Sequence, residues 1–122
     1  MAMTAQELVA EAKKTIQEID VASAKTLVGQ VPVLDVREPA EFAAGSLPGA
    51  VNIPRGLLEF QIGNHPAFAA ARDGDVLVYC QSGGRSALAA ETLKKLGFVR
   101  PFSLAGGFKA WSDAGEQVVR PG

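Results

Sequence analysis

Short apolar runs that alternate with helix-like segments constrain the fold of this chain more than any other feature. Val31–Val36 and Val76–Tyr79 are almost continuously apolar and have the length of strands, which is typical of strands buried on both faces. Arg85–Leu96 follows the second run, repeats apolar residues at helical spacing and stops before Gly97. Strands that alternate with helices favour a parallel sheet covered by helices on both faces. The sequence therefore predicts an α/β fold.

The rest of the chain predicts further short elements. Thr4 and Glu7 fit a capping box at the start of an N-terminal helix. The other predicted elements are a strand near Ile19, helices at Ser23–Leu27, Pro39–Ala44 and Gly107–Ala114, and strands at Ala50–Ile53 and Pro101–Leu104. We expect residues 1–18 to form a helical extension and residues 19–122 to form a single domain.

The charge balance and the scarcity of cysteine and histidine exclude several classes of function. Twelve Lys and Arg against thirteen Asp and Glu give a net charge of -1, which argues against a nucleic-acid binder. Cys80 is the only cysteine in 122 residues, so the chain has no internal disulfide and no zinc site of several cysteines. His65 is the only histidine and has no second His or Cys as a co-ligand. We therefore expect no metal and no cofactor.

The sequence also lacks the pattern of a membrane anchor or a signal peptide. No apolar run approaches the roughly 18 residues that a membrane-spanning helix needs. The N-terminal segment carries Glu7, Glu11 and Glu18 and has no uninterrupted hydrophobic stretch. We expect no membrane partner and a cytoplasmic location, where a free thiol stays reduced.

The segment Val76–Ser86 combines a strand, a cysteine, two glycines and an arginine in front of a helix. Cys80 stands at the carboxyl end of the strand, where open α/β sheets bind their ligands. Gly83 and Gly84 let successive N–H groups turn toward one point, and the following helix adds its own unpaired N–H groups. Arg85 adds a permanent positive charge. This pattern favours a reactive thiolate over a buried structural cysteine, and leaves phosphate-ester cleavage, arsenate reduction and sulfur transfer open.

The same segment resembles the active-site loop of rhodanese-like sulfurtransferases, and the resemblance extends over about residues 19–119. The segments that carry it are Leu34–Phe42, Gly45–Pro54, Tyr79–Ser86, Leu96–Phe98 and Leu104–Trp111, all in the family's order. The resemblance implies a rhodanese-like α/β fold, with a small parallel sheet of about five strands and helices on both faces. The family often has Gly-His-Ile where this chain has Gly-Ser-Leu at residues 45–47, which we expect to change local packing and not the chemistry.

The resemblance implies a two-step sulfur transfer through Cys80. The thiolate takes the outer sulfur of thiosulfate or a similar donor, and sulfite leaves. The persulfide is then held by the N–H groups of the loop, which consists of Gln81, Ser82, Gly83, Gly84, Arg85 and Ser86. Cyanide, a low-molecular-weight thiol or a protein thiol removes the outer sulfur in the second step.

Two alternative functions remain open. Since Cys80 is the only cysteine, the persulfide has no internal thiol to resolve it, which also suits a sulfur-carrying or protein-interaction module with little turnover. Cysteine phosphatases and arsenate reductases share the cradle of cysteine and arginine. They have one residue more in the loop than the four that separate Cys80 from Arg85. By family resemblance the shorter loop suits a persulfide, so the residue count favours sulfur transfer.

Three more residues are candidates for supporting roles. Asp35 and Arg37 follow a predicted strand and so lie at the same edge of the sheet as the cysteine. They are candidate orienters of the loop, although we favour a structural role such as an ion pair of Arg37 with Glu41. Arg55 is a candidate for attracting an anionic donor, with a solvated surface position as the equal alternative. The apolar segment Leu57–Ile62 is predicted to belong to the core.

Overall fold

A parallel sheet of five short strands lies at the centre of the protein, in a computed structural model that describes residues 2–121. The strands are β1 (Gln17–Ile19), β2 (Val33–Asp35), β3 (Ala50–Asn52), β4 (Asp75–Tyr79) and β5 (Arg100–Leu104). Their order is β1-β5-β4-β2-β3, and each neighbouring pair is parallel. The carboxyl ends of the strands therefore meet at one edge, where Asp35 is paired with Asn52 on one side and Tyr79 on the other.

Helices connect the strands and cover the sheet. They are α1 (Ala5–Lys13), α2 (Val21–Leu27), α3 (Pro39–Ala44), α4 (Leu58–Gln61), α5 (Gly84–Lys95) and α6 (Gly107–Asp113). Thr4 and Glu7 form the predicted capping box of α1, because each accepts the backbone N–H of the other. No helix within residues 2–121 is both long and apolar enough to cross a membrane.

The alternation of side chains along β4 separates two apolar layers. Val76 and Val78 face the layer that also contains Leu93 of α5, whereas Leu77 and Tyr79 face the layer of α2 and α6. All four of these strand residues are fully buried. Because both faces of the sheet are covered, β4 is apolar throughout instead of alternating with polar residues. The predicted α/β fold with helices on both faces is confirmed.

The helix-like and strand-like segments predicted from periodicity lie within about two residues of the observed bounds. The prediction for Leu57–Ile62 is correct only in part. This segment folds into α4 between two 3₁₀ turns, which places Leu58 and Ile62 four residues apart on the buried face. Phe60 lies on the opposite face and is 83% exposed.

Helix α1 packs against α5. Ala12 is fully buried, and the ammonium of Lys94 donates a hydrogen bond to the carbonyl of Thr15 at 2.6 Å. Val9 lies near the start of α5, 3.6 Å from the position that a Cβ on Gly84 would occupy. The predicted helical extension of residues 1–18 is helical over α1, whereas Gln17 and Glu18 belong to β1 of the sheet. The division of the chain into an extension and a single domain stays a prediction.

Candidate active site

Cys80 follows β4 directly, and its side chain is 1% exposed. Its sulfur accepts hydrogen bonds from the backbone N–H of Gly83 at 3.0 Å and of Ser86 at 3.4 Å. The thiol donates to the hydroxyl of Ser86 at 3.5 Å. Gly83 has a φ of +110°, which favours glycine and turns the chain back so that α5 begins at the sulfur. Donors that converge on one atom stabilise an anion there, so the loop is built to hold a negatively charged sulfur.

Two glycines after β5 let the following segment approach the backbone of Cys80 and Gln81 closely. Gly106 and Gly107 both have positive φ angles, and a Cβ on Gly107 would lie 2.5 Å from the carbonyl oxygen of Cys80. This close approach lets the N–H of Phe108 donate to Cys80 O at 2.8 Å, and the N–H of Lys109 donate to Gln81 O at 3.1 Å. The sequence interpretation assigned these glycines no role, although a glycine pair after a strand is a signal of close backbone approach.

Ser86 is the last residue of the loop and is fully buried. Its hydroxyl lies 2.8 Å from the hydroxyl of Ser103 on β5, which is also fully buried, and 3.3 Å from the carbonyl of Gly83. A buried hydroxyl that is hydrogen-bonded on both sides has a restricted orientation. Sequence reasoning missed Ser103, because nothing local distinguishes it from other residues of a buried strand.

Asp35 and Arg37 form a buried ion pair, and their side chains are 0% and 2% exposed. The guanidinium donates to both carboxylate oxygens, with the shortest contact at 2.8 Å, and also to the carbonyl of Gly45 at 2.6 Å. Burial opposes the charge of Arg37, but the hydrogen bonds and the charge of Asp35 outweigh it and raise the pKa of Arg37. The prediction of an ion pair between Arg37 and Glu41 is wrong, because Arg37 is paired with Asp35 and Glu41 with Arg85.

The guanidinium of Arg37 also reaches the loop. Its Nη1 donates to the side-chain oxygen of Gln81 at 3.3 Å, and its Cζ lies 4.5 Å from the ring centre of Phe108 and 5.3 Å from that of Tyr79. Gln81 follows Cys80 in the chain, and the backbone N–H of Phe108 donates to the carbonyl of Cys80. Arg37 therefore links the end of β2 to the first residue of the loop, a geometry compatible with both the favoured structural role and the candidate role of an orienter.

Arg85 points its guanidinium at Glu41 of α3. Two parallel hydrogen bonds of 2.8 and 3.1 Å join the guanidinium to the carboxylate, and the side chains are 38% and 33% exposed. The hydrogen bond from Arg85 lowers the pKa of Glu41 to about 2, against the effect of burial. The predicted contact of Arg85 with an anionic substrate stays a prediction, and it would compete with this ion pair.

Arg55 and Ser82 are the remaining predicted residues. The guanidinium of Arg55 donates to both carboxylate oxygens of Glu59 at 3.1 Å and to the hydroxyl of Thr92 at 3.1 Å. These partners do not belong to the loop. Thr92 lies eight residues into α5, about 12 Å along the helix axis from its start. Ser82 is exposed at the tip of the loop. Within residues 2–121, no group of three or more His, Cys, Asp or Glu is placed to hold a metal ion.

The Gly-Ser-Leu sequence at residues 45–47 is accommodated by local pairing. Ser46 is buried, and its backbone forms an antiparallel bridge with Val119. Leu47 is buried in the layer of α2 and α6, and its N–H donates to the hydroxyl of Tyr79 at 3.1 Å. Burial raises the pKa of Tyr79 well above its ordinary value, so its hydroxyl stays neutral.

Comparison with known proteins agrees with this architecture. The profile of the rhodanese-like domain family matches residues 9–114. A sulfurtransferase of Allochromatium vinosum is 37% identical over 91 residues, which cover 75% of this chain and 80% of the relative. The human thiosulfate:glutathione sulfurtransferase is 33% identical over 94 residues, which cover 70% of this chain and 82% of the relative.

A solved structure from Rhodopseudomonas palustris, described as a protein of unknown function and possible tyrosine phosphatase, has a TM-score of 0.86 and 32% identity. The match covers 98% of this chain and 96% of that one. A five-stranded parallel sheet with a cysteine held in an N–H nest at its carboxyl edge defines a class of cysteine-centred α/β domains. Within that class this chain belongs to the rhodanese-like family, as its sequence predicted, and its relatives named sulfurtransferase support a transferase.

Proposed function

We propose that this protein transfers sulfane sulfur from thiosulfate or a similar donor to cyanide or a thiol, through a persulfide on Cys80. The observation that carries the proposal is the pair of N–H groups, from Gly83 and Ser86, that point at the sulfur of Cys80. The name of the human relative, thiosulfate:glutathione sulfurtransferase, supports the choice of donor and of a thiol acceptor. The proposal needs no metal and no cofactor.

The first step is a displacement at sulfur. The Cys80 thiolate attacks the outer sulfur of thiosulfate, a new S–S bond forms, and the bond to the sulfonyl sulfur breaks as sulfite leaves with the electron pair. The product persulfide carries the negative charge that the thiolate carried before. N–H donors fixed in advance stabilise this charge without reorganisation. The second displacement, by the acceptor, returns Cys80 to the thiolate, which predicts ping-pong kinetics.

Mass spectrometry tests the proposal directly. Incubation with thiosulfate is expected to add one sulfur to the intact protein, and cyanide is expected to remove it. Cys80→Ser is the matched control, because it keeps a buried hydroxyl in place of the thiol and is expected to gain no sulfur. A folded wild-type protein that gains no sulfur from thiosulfate or another sulfane donor contradicts the proposal.

The second candidate is a sulfur carrier or protein-interaction module with little turnover of its own, and the single cysteine favours it. Both functions pass through the same persulfide, so turnover separates them. Rapid steady-state transfer from thiosulfate to cyanide supports the enzyme, whereas a stable persulfide that only a partner protein can discharge supports the carrier.

Phosphatase activity is a third candidate because the Rhodopseudomonas palustris protein is described as a possible tyrosine phosphatase. The four-residue spacing between Cys80 and Arg85 argues against it. So does the guanidinium of Arg85, because it donates two hydrogen bonds to the carboxylate of Glu41. Hydrolysis of an aryl phosphate that Cys80→Ser abolishes would restore this candidate.

A further inference from the structure

The positive charge of Arg85 is compensated by an ion pair with Glu41. The carboxylate of Glu41 accepts two hydrogen bonds from the guanidinium, and one of its oxygens also accepts the N–H of Glu38 at 2.9 Å. The hydrogen bonds that Arg85 donates to Glu41 raise its pKa against the effect of burial, and the charges of Glu41, Cys80 and Glu38 add to the increase. Arg85 lies on the loop that begins after Cys80, but its guanidinium is paired with a carboxylate that is ionised at neutral pH.

The other cations next to the loop are compensated in the same way. Arg37 is paired with Asp35 at 2.8 Å. Lys109, whose backbone N–H supports the loop, is paired with Asp113 at 2.6 Å. A dianion that approaches Cys80 therefore meets three cations that each already have a carboxylate partner. Of these three pairs, only that of Arg85 joins a loop residue to a partly exposed carboxylate.

We infer that Glu41 is a specificity-determining residue, which removes the advantage that the charge of Arg85 would otherwise give to sulfur donors with two negative charges over donors with one. Binding a dianion next to Arg85 places it beside the carboxylate of Glu41 or requires that carboxylate to be displaced. The carboxylate repels a donor with two charges about twice as strongly as a donor with one, and so offsets the extra attraction that the second charge gains from the guanidinium. This inference rests on the proposed sulfur transfer and adds the charge class of its donor.

Thiosulfate and methanethiosulfonate are a matched pair of probes, because a methyl group in the second replaces a charged oxygen of the first. In both reactions the Cys80 thiolate forms a bond to the outer sulfur and the bond to the sulfonyl sulfur breaks. The electron pair leaves with sulfite from thiosulfate and with methanesulfinate from methanethiosulfonate. The persulfide is the same, so the charge of the donor is the main variable. Since the leaving groups differ in intrinsic reactivity, the informative quantity is the change of the rate ratio between protein variants.

The decisive experiment measures kcat/KM for both donors in Glu41→Gln and in the control Glu59→Gln. Glu59 also pairs with an arginine through two hydrogen bonds of 3.1 Å, but it lies away from the loop. We expect Glu41→Gln to increase the ratio of thiosulfate to methanethiosulfonate about threefold, mainly through KM, with a smaller effect at high salt. Glu59→Gln is expected to leave the ratio unchanged. An equal change in both variants, or no change in Glu41→Gln, overturns the inference.

A second measurement uses the wild-type protein alone and does not depend on the folding of a variant. Sulfate and methanesulfonate are unreactive competitors that also differ by one charge. We expect methanesulfonate to inhibit at concentrations within about threefold of those of sulfate. Sulfate binding more than about threefold tighter overturns the inference. If neither donor forms a persulfide in the wild-type protein, the proposed function itself fails, whereas persulfide formation with an unchanged ratio refutes only the role of Glu41.

Discussion

The hydroxyl oxygens of Ser86 and Ser103 lie 2.8 Å apart, and the first of them is 3.5 Å from the sulfur of Cys80. When Cys80 is a thiol, it donates to Ser86. When Cys80 is a thiolate, the hydroxyl of Ser86 can donate to the sulfur. The hydroxyl of Ser103 can then donate to the oxygen of Ser86. A serine on β5 thus orients the hydroxyl that faces the reacting atom.

Ser103→Ala is expected to destabilise the thiolate of Cys80 indirectly, because Ser103 acts through its hydrogen bond with Ser86. We expect alkylation of Cys80 by iodoacetamide at neutral pH to slow about threefold, because one hydrogen bond of ordinary strength is lost. Ser112→Ala, at an exposed position of α6, is the control and is expected to leave the alkylation rate unchanged.

A double-mutant cycle tests whether Ser103 acts through Ser86. Ser86→Ala is expected to slow alkylation more than Ser103→Ala does. In the double variant, the second substitution is expected to add little. Fully additive effects would contradict the idea that the two hydroxyls act as one unit.

Gly107→Ala is expected to damage both stability and persulfide formation. The new Cβ would lie 2.5 Å from the carbonyl oxygen of Cys80, and the backbone that carries this oxygen cannot turn aside without moving the loop. Gly115→Ala is the matched control, because Gly115 also has a positive φ but open space around the position of a Cβ. We expect a loss of about 1–2 kcal/mol in the control from backbone strain alone, and a larger loss for Gly107→Ala. Urea unfolding measures the loss of stability in each variant. Equal losses would refute the role of the close approach.

Asp35→Asn is expected to destabilise the protein by about 3–5 kcal/mol, because it leaves the guanidinium of Arg37 buried without a counter-charge. Asp75→Asn is the control, since it removes a carboxylate from the more exposed pair with Arg100, and is expected to cost less than about 1 kcal/mol. Urea unfolding compares the two variants. A similar small loss in both would show that burial of the first pair carries no energetic consequence.

The elements and the position of the nucleophile could be predicted because their signals are local. β4, Cys80 and the start of α5 are adjacent in the chain, so apolar runs, glycine and helical spacing were sufficient. The partner of Arg37 could not be predicted in this way. An interaction four residues along a helix suggested Glu41, but Arg37 lies before α3, and its side chain turns back to Asp35 at the sheet edge.

The residues around the loop depend on contacts that are distant in the chain. Arg85 meets Glu41 across 44 positions, and Ser86 meets Ser103 across 17. Such pairs follow from the order of strands and the way that helices lie over them, which no local pattern contains. Phe60 illustrates the same limit on α4, because an apolar run predicts burial without specifying which side of a short helix faces the sheet.

The pH dependence of stability is expected to differ between the wild type and Glu41→Gln. Because the pKa of Glu41 is lowered from 4.5 to about 2, its ionised form stabilises the folded state above pH 4.5, and this stabilisation is lost as the pH falls toward about 2. The pair with Arg85 is partly exposed, so solvent screening limits the difference to about 1 kcal/mol at neutral pH. Glutamine keeps the oxygen that accepts the N–H of Glu38, so the start of α3 is preserved in the variant. Urea unfolding at a series of pH values should give a gap between the two proteins that is constant above pH 5 and closes near pH 2. A gap that stays constant down to that pH would mean that the charge of Glu41 does not stabilise the fold.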